Sequence, residues 1–209
     1  MTKKRLSTTV VNTQKPLLVV LSGPSGSGKS TLVNELLKQN RQFIVSISAT
    51  TRSKRRGEKE GRDYYFLTQE EFRNKRRRGE FIESATVFDE WYGTPRERVR
   101  EALARDRSVV FDIDVQGGIS IKKWHRDAVL VFVLPPSMSV LRKRLQGRKT
   151  ESPAEVKLRL ARALKEISFW SKYDYVVCNN DLRETVELIG HIIRAESQRV
   201  ARCRTVTFG

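Results

Sequence analysis

The chain has 209 residues, which fits one domain of ordinary size with room for inserted subdomains. Its 41 Lys and Arg residues outnumber its 24 Asp and Glu residues, and the resulting formal net charge of +17 predicts anionic partners. No apolar run approaches the roughly 20 residues that cross a bilayer, and no signal-peptide core is present, so the sequence favours a cytoplasmic protein without a membrane partner. Its two cysteines are too few for a disulfide framework or a cysteine metal cluster.

The predicted elements begin after a basic, hydroxyl-rich segment, residues 1–15, which we expect to be a disordered tail. Residues 17–21 are apolar and rich in β-branched side chains, which is typical of a buried strand. The segment TLVNELLKQ resumes with helical spacing. Between this strand and this helix, residues 23–30 (GPSGSGKS) fit the pattern G-x-x-x-x-G-K-S/T of a phosphate-binding P-loop.

The P-loop pattern predicts a nucleoside triphosphate site. Its glycines let successive backbone N–H groups converge on one anion, and the following helix directs its positive end to the same place. Lys29 is expected to reach the β- and γ-phosphates, and the Ser30 hydroxyl to hold Mg²⁺. A Gly/Ser-rich turn before a helix is the simpler alternative, but the strand, glycines, lysine and hydroxyl are all in register.

The next segments combine strands, capped helices and a basic loop. Residues 43–49 (FIVSISA) predict a second strand, and the capping box that begins at Thr68 predicts a helix towards Gly79. The segment EFIESATVFDEWYGT is expected to be part strand and part loop. Thr94 opens a second capping box with Pro95 at the first helical position.

The second half of the chain alternates strands and helices, which predicts an α/β sandwich around a mainly parallel sheet. Apolar strands are predicted at residues 108–113 and 128–134, and a shorter strand at 173–178. Helices are expected to open at Ser137, Ser152 and Asp181.

An acid follows one of these apolar strands. Asp112 ends the run VVFD, the Walker B arrangement that places a carboxylate near the Mg²⁺ of a P-loop. Asp114 lies two residues further and would face the same side if the strand persisted. Because an acid at the end of a strand is common, this pattern indicates a metal site only in combination with the P-loop.

The basic loop after the second strand carries a further phosphate signal. Arg52 and Arg55 precede the pair Tyr64 and Tyr65 among glycines, and guanidinium forks and tyrosine hydroxyls suit a phosphate. A solvated basic loop is the alternative. Because the charge is spread in short clusters, we expect small phosphorylated ligands and no specific nucleic-acid partner.

With these motifs in order, the chain resembles the guanylate kinase family over about residues 16–196. The resemblance is carried by GPSGSGKST, SISATTRSKRRGE, GRDYYF, EFIE, YGTP, FDIDVQG, LPPS and RLQGRKTE. It implies a P-loop NTPase three-layer α/β sandwich with a mainly parallel five-stranded sheet, an inserted GMP-binding subdomain and a lid. The implied boundaries are core 16–49, 96–141 and 163–209, insert 50–95, and lid 142–162.

The resemblance also implies an activity: transfer of the γ-phosphoryl group of ATP to GMP or dGMP, with Mg²⁺, by a monomer or small homo-oligomer. One alternative is a non-catalytic guanylate-kinase-like module that binds phosphopeptides. Such modules typically lose P-loop and lid residues that this chain keeps. A related sugar-phosphate kinase would lack the guanine-binding set described next.

Individual roles follow from the same resemblance. The residues implied to bind ATP are Gly23, Pro24, Ser25, Gly26, Ser27, Gly28, Lys29, Ser30, Thr31 and Asn179. The residues implied to bind GMP are Ser48, Arg52, Arg55, Tyr64, Glu83, Tyr92, Thr94, Asp112 and Asp114. The residues implied to act in catalysis are Lys29, Arg144, Arg148, Arg159 and Asp112, with Ser30 and Asp112 at the metal.

Glu83 has a clear chemical reason for its implied role. Guanine presents two adjacent donors, N1–H and the 2-amino group, and a carboxylate accepts from both, whereas adenine has no donor at N1. A site built around such hydrogen bonds rejects the wrong base strongly. Thr94 has a competing interpretation, because it is also the expected cap of the helix at Pro95.

Overall fold

The computed structural model describes residues 10–87, 89–146 and 153–208. The strands are β1 (Val10–Gln14), β2 (Leu18–Ser22), β3 (Phe43–Val45), β4 (Ala49–Thr50), β5 (Tyr65–Phe66), β6 (Phe81–Val87), β7 (Glu90–Pro95), β8 (Ser108–Asp112), β9 (Val129–Leu134), β10 (Tyr175–Cys178) and β11 (Cys203–Phe208). The helices are α1 (Lys29–Gln39), α2 (Gln69–Arg77), α3 (Arg96–Ala104), α4 (Val115–Trp124), α5 (Met138–Gln146), α6 (Pro153–Ile167) and α7 (Leu182–Ser197).

The central sheet confirms the predicted α/β architecture. Five strands lie in the order β10-β9-β2-β8-β3, and every neighbouring pair is parallel. The apolar run of β2 is buried along its whole length, as a strand covered on both faces must be. Since Leu21 of β2 pairs with Asp112 of β8, the P-loop and the predicted metal-binding acid leave the same edge of the sheet side by side.

Helices cover both faces of this sheet and complete three layers. On one face, Leu36 of α1 and Ile189 of α7 pack against Val19 and Val131. On the other, Ala102 of α3 and Ile121 of α4 join a cluster with buried sheet residues such as Phe111. Both faces are therefore apolar, which explains the continuous hydrophobic runs in the sequence.

A second sheet, in the order β5-β4-β7-β6, lies in the region of the expected insert and has a small core of its own. Phe72 of α2 stacks on Phe81 of β6 with ring centroids 4.5 Å apart. The capping box at the start of α2 is confirmed, because the Thr68 hydroxyl accepts from the Glu71 N–H and the Glu71 carboxylate accepts from the Thr68 N–H. No helix within the described ranges is both long and apolar enough to cross a membrane.

The prediction of one continuous strand over residues 43–49 is wrong. β3 pairs with β8 in the central sheet, whereas β4 pairs with β5 and β7 in the insert. The chain passes from one sheet to the other at Ser46, whose N–H still donates to the Val110 carbonyl at 2.8 Å. The sequence has no glycine or proline at this point, so its apolar pattern continues where the strand leaves one sheet and joins the other.

The expectation of a disordered tail is also wrong for residues 10–14. This segment forms β1 and pairs antiparallel with β11, a strand that the sequence did not predict. The adjoining Lys15 N–H donates to the Arg202 carbonyl at 2.9 Å. The two partners lie at opposite ends of the chain, and neither has a local pattern that reveals the other.

One predicted helix cap is wrong, and one helix was not predicted. Thr94 does not cap α3, which begins after Pro95 without a side-chain cap. β8 ends at Asp112 rather than continuing to Asp114, whose carboxylate instead caps α4 by accepting the Gly117 N–H at 2.8 Å. α4 itself was not predicted, because the adjacent glycines 117 and 118 are weak helix formers.

Candidate active site

An open cleft of about 420 Å³ lies between the central sheet, the insert and α6. Side chains from five separate stretches of sequence converge on it. The predicted site residues that line the cleft are Ser25, Ser48, Arg55, Tyr64, Glu83, Tyr92, Asp112, Asp114 and Arg159. The fold therefore brings the P-loop side and the predicted guanine-binding side to one cavity.

The shape of the P-loop depends on glycines at positions where a side chain would be strained or crowded. Gly23 and Gly28 both have positive φ angles, +145° and +98°. A Cβ at Gly23 would lie 2.2 Å from the Val133 carbonyl oxygen, and one at Gly28 would lie 2.4 Å from Nδ2 of Asn179. α1 starts immediately afterwards at Lys29, so the helix N-terminus and the loop N–H groups form one anion-binding region.

Lys29 is held against the loop that precedes it. Its Nζ donates to the carbonyl oxygens of Gly23 at 2.7 Å and Pro24 at 3.2 Å. Burial lowers the pKa of Lys29, while the nearby Asp112 carboxylate acts in the opposite direction. The ammonium group is thus largely removed from water and fixed at the P-loop, where a phosphate charge would favour its protonated form.

Ser30 and Asp112 meet at the edge of the sheet, as the predicted metal site requires. The Ser30 hydroxyl donates to Asp112 Oδ2 at 2.5 Å. Within the described residues, no group of three or more His, Cys, Asp or Glu side chains could hold a metal ion by itself. One hydroxyl and one carboxylate are hard oxygen ligands that suit Mg²⁺, which commonly binds proteins through one or two carboxylates together with substrate phosphates.

The predicted phosphate clamp is an aromatic and cationic cluster on the insert. The rings of Tyr64 and Tyr92 lie 5.9 Å apart in an edge-to-face arrangement. Arg52 lies over Tyr64, with Cζ 5.3 Å from the ring centroid, and pairs with both oxygens of Glu58 at 2.7 and 3.1 Å. Arg55 lines the cleft directly, and Arg52 contacts the cleft residue Tyr64.

Glu83 is a partly buried acid that lines the cleft from strand β6. The fully buried Thr94 donates its hydroxyl to Glu83 Oε1 at 2.6 Å, which explains why this threonine is unavailable as a helix cap. Burial raises the pKa of Glu83 to about 7, and the Asp114 carboxylate acts in the same direction, whereas the Thr94 hydrogen bond opposes them.

Two further predicted residues brace the P-loop from its outer side. Arg144 of α5 donates to the carbonyl oxygens of Gly26 and Ser27, both at 3.3 Å. The buried Asn179 donates from Nδ2 to the Ser27 carbonyl at 2.8 Å. Arg148 was predicted as a lid arginine and lies outside the described residues.

Two further cleft residues lie on α6 and are not among the predicted site residues. Arg162 and Glu166 line the cavity together with Arg159. Their spacing of three and four residues places them on one face of the helix, a signal that the sequence contained. Burial raises the pKa of Glu166, and the positive charge of Lys29 opposes that effect.

Comparisons with known proteins agree with the geometry. A family model described as guanylate kinase matches residues 15–196. The chain is 43% identical over 191 residues to a guanylate kinase of Clostridium tetani, covering 91% of both chains. It is 46% identical over 182 residues to one of Rickettsia typhi, covering 87% of this chain and 92% of that one. A crystal structure of guanylate kinase from Anaplasma phagocytophilum superposes with a TM-score of 0.77 at 38% identity and covers 92% of both chains.

Proposed function

The chain belongs to the guanylate kinase family and is an ATP:GMP phosphotransferase, and from that premise we propose how its residues divide the reaction. GMP or dGMP binds on the insert side of the cleft, ATP binds at the P-loop, and GDP or dGDP leaves with ADP. The observation that carries this division is the single cavity shared by Ser25 and Asp112 on one side and by Glu83, Tyr64 and Tyr92 on the other.

On the acceptor side, Glu83 in its ionised form accepts the N1–H and 2-amino donors of guanine, with Ser48 beside it. The Thr94 hydroxyl is committed to Glu83 at 2.6 Å, so we assign Thr94 the task of orienting that carboxylate. Arg55, Tyr64 and Tyr92 bind the GMP phosphate. Arg52 joins them by exchanging the Glu58 carboxylate for phosphate oxygens, since its planar fork fits both groups.

On the donor side, Lys29 and the P-loop N–H groups hold the β- and γ-phosphates. Arg144, Arg148 and Arg159 supply positive charge to the phosphoryl group while it moves between the two nucleotides. Interactions that meet charge as it develops are commonly the largest contribution to catalysis. Asn179 supports the loop through Ser27 and lies beside the ATP site.

Ser30 and Asp112 would hold Mg²⁺, which supplies charge neutralisation on the phosphate oxygens of ATP. The attacking group is a phosphate oxygen of GMP, whose second pKa is about 6, so it is mostly ionised at neutral pH and needs no general base. Catalysis then depends on in-line positioning and on the arginines. Both cysteines are free, which suits a reducing cytoplasm.

The test is an acceptor panel in a coupled ADP-release assay with Mg-ATP. GMP should be the best acceptor and dGMP the next, whereas AMP, UMP and a ribose bisphosphate should be nearly inert. Pure, folded protein that fails to turn over GMP would refute the proposed function. Binding of a phosphopeptide without any GMP turnover would instead favour the non-catalytic module.

A further inference from the structure

Helix α4 carries two adjacent glycines, Gly117 and Gly118, in its first turns, although glycine is among the weakest helix formers. Neither lies in the positive-φ region, so backbone conformation does not require a glycine at these positions. Both are buried. The reason for each must therefore lie in the space that a side chain would occupy.

Gly118 has an explanation within the fold. A Cβ there would lie 2.4 Å from the Tyr173 hydroxyl and 2.9 Å from the Ser22 hydroxyl. Tyr173 itself donates to the Val115 carbonyl at 3.2 Å and so ties down the start of α4. A side chain at position 118 would disrupt this packing, which makes Gly118 a structural residue.

Gly117 faces the cleft residue Glu83 instead. A Cβ at position 117 would lie 3.2 Å from Glu83 Oε2 and 3.4 Å from its Cδ, and 3.2 Å from Cδ1 of Ile113. These separations are tighter than ordinary van der Waals contact, so at least one neighbour would have to move by a few tenths of an ångström. The Glu83 carboxylate thus rests on a patch of helix surface that is open because residue 117 has no side chain.

We propose that Gly117 is a specificity-determining positioning residue, which keeps the Glu83 carboxylate seated against the first turn of α4 so that both of its oxygens face guanine. The inference rests on the proposed function, because it assumes that Glu83 accepts the guanine donors. Thr94 anchors Oε1 at 2.6 Å, and the bare surface of Gly117 leaves room for Oε2. The contact is steric, since the Gly117 N–H is already donated to Asp114.

An added methyl group would act on one oxygen more than on the other. Glu83 cannot retreat as a whole, because its Oε1 is bonded to a buried hydroxyl, so the carboxylate must rotate and Oε2 must shift. Guanine uses two neighbouring donors, whereas hypoxanthine keeps N1–H and lacks the 2-amino group. The loss should therefore be greater for GMP than for IMP.

The test compares Gly117→Ala with Gly190→Ala. Gly190 lies on α7, where a Cβ would approach nothing closer than Arg194 Nη1 at 3.7 Å, so the control makes the same chemical change far from Glu83. A misplacement of 1 Å can cost about 100-fold, so a few tenths of an ångström should raise the KM for GMP about fivefold. The KM for ATP should stay within twofold of the wild-type value, and the GMP-to-IMP preference should fall. A thermal unfolding curve checks that Gly117→Ala remains folded. Gly190→Ala should change none of the kinetic values.

A double-mutant cycle isolates the path through Glu83. In a Glu83→Ala background, Gly117→Ala should change the KM for GMP less than twofold, because the displaced carboxylate is gone. An equal rise in both backgrounds, an equal loss for ATP, or an unchanged KM for GMP would overturn the inference. Should Gly117→Ala unfold, Ile113→Val/Gly117→Ala repeats the test with the other close contact relieved. A wild-type protein without GMP turnover would refute the proposed function instead, so the two failures are distinguishable.

Discussion

Replacing Glu83 with glutamine should stabilise the nucleotide-free protein at alkaline pH while weakening its selection of GMP. Burial moves the pKa of Glu83 from 4.5 to about 7. Between these values the folded protein keeps a proton on Glu83 that the unfolded chain has released, so this group favours folding less and less as the pH rises through the interval. At 1.36 kcal/mol for each pKa unit, an ionised Glu83 costs about 3 kcal/mol of stability above pH 7.

Glutamine removes this cost, because it has the same shape and its carbonyl oxygen can still accept from Thr94. For a chain of this length, 1 kcal/mol corresponds to about 2–4 °C in melting temperature. The variant should therefore melt about 6 °C above wild type at pH 8.5 but only about 2 °C above it at pH 5.0, where the wild-type carboxyl is protonated in the folded state. The KM for GMP should rise about 100-fold at pH 8.5, because an amide cannot accept from both guanine donors, and the KM for ATP should stay unchanged.

Thermal unfolding at the two pH values and coupled ADP release measure these effects. Glu80→Gln is the matched control, because Lys75 and Arg78 hold the pKa of the partly exposed Glu80 below its usual value. Removing the Glu80 charge should therefore not stabilise the protein at pH 8.5. An equal change in melting temperature at both pH values, or a lower melting temperature at pH 8.5, would show that the burial argument is wrong. Equal losses of GMP and ATP affinity would show that Glu83 does not serve the acceptor side.

Three further substitutions test the other contacts. Lys29→Ala should lower kcat by about 10³-fold while calorimetric GMP affinity stays at the wild-type value, and a large loss of GMP affinity would contradict the assignment to the donor side. Thr94→Val removes the hydroxyl whose hydrogen bond favours the ionised form of Glu83, so the pKa of Glu83 should rise above about 7. The KM for GMP measured at pH 7 should then increase about tenfold, and an unchanged KM would mean that this hydrogen bond is dispensable. Asn179→Ala removes the 2.8 Å hydrogen bond to Ser27, so the KM for ATP should rise about threefold while the KM for GMP stays unchanged. A selective rise in the KM for GMP would contradict the assignment of Asn179 to the ATP side of the cleft.

The elements that the sequence predicted well are those whose partners are close along the chain. The P-loop needs a strand, a glycine turn, a lysine and a helix in immediate succession, and residues 18–39 supply them in order. The capping box at Thr68 and the cap at Asp181 are equally local, and both are confirmed. Buried parallel strands were recognisable because both of their faces are covered, which removes polar alternation.

Two of the differences from the sequence prediction involve a side chain that had two possible roles. Thr94 could cap a helix or bind Glu83, and its burial next to that carboxylate decides for Glu83. Asp114 could extend a strand or cap α4, and the Gly117 N–H decides for the cap. For Thr94 the deciding contact comes from another strand, whereas the contact of Asp114 is a local cap within the first turn of α4.

The order of residues alone determined that this chain binds a nucleoside triphosphate and builds a parallel sheet, because glycine conformations, helix spacing and apolar runs are local properties. Only the tertiary structure joined the two halves of the site, by pairing β2 with β8 and by folding the insert and α6 over the same cleft. The tertiary structure also places Gly117 against the Glu83 carboxylate, which comes from a strand more than thirty residues earlier in the chain. Such distances between groups arise from packing and have no signature in the sequence around either residue.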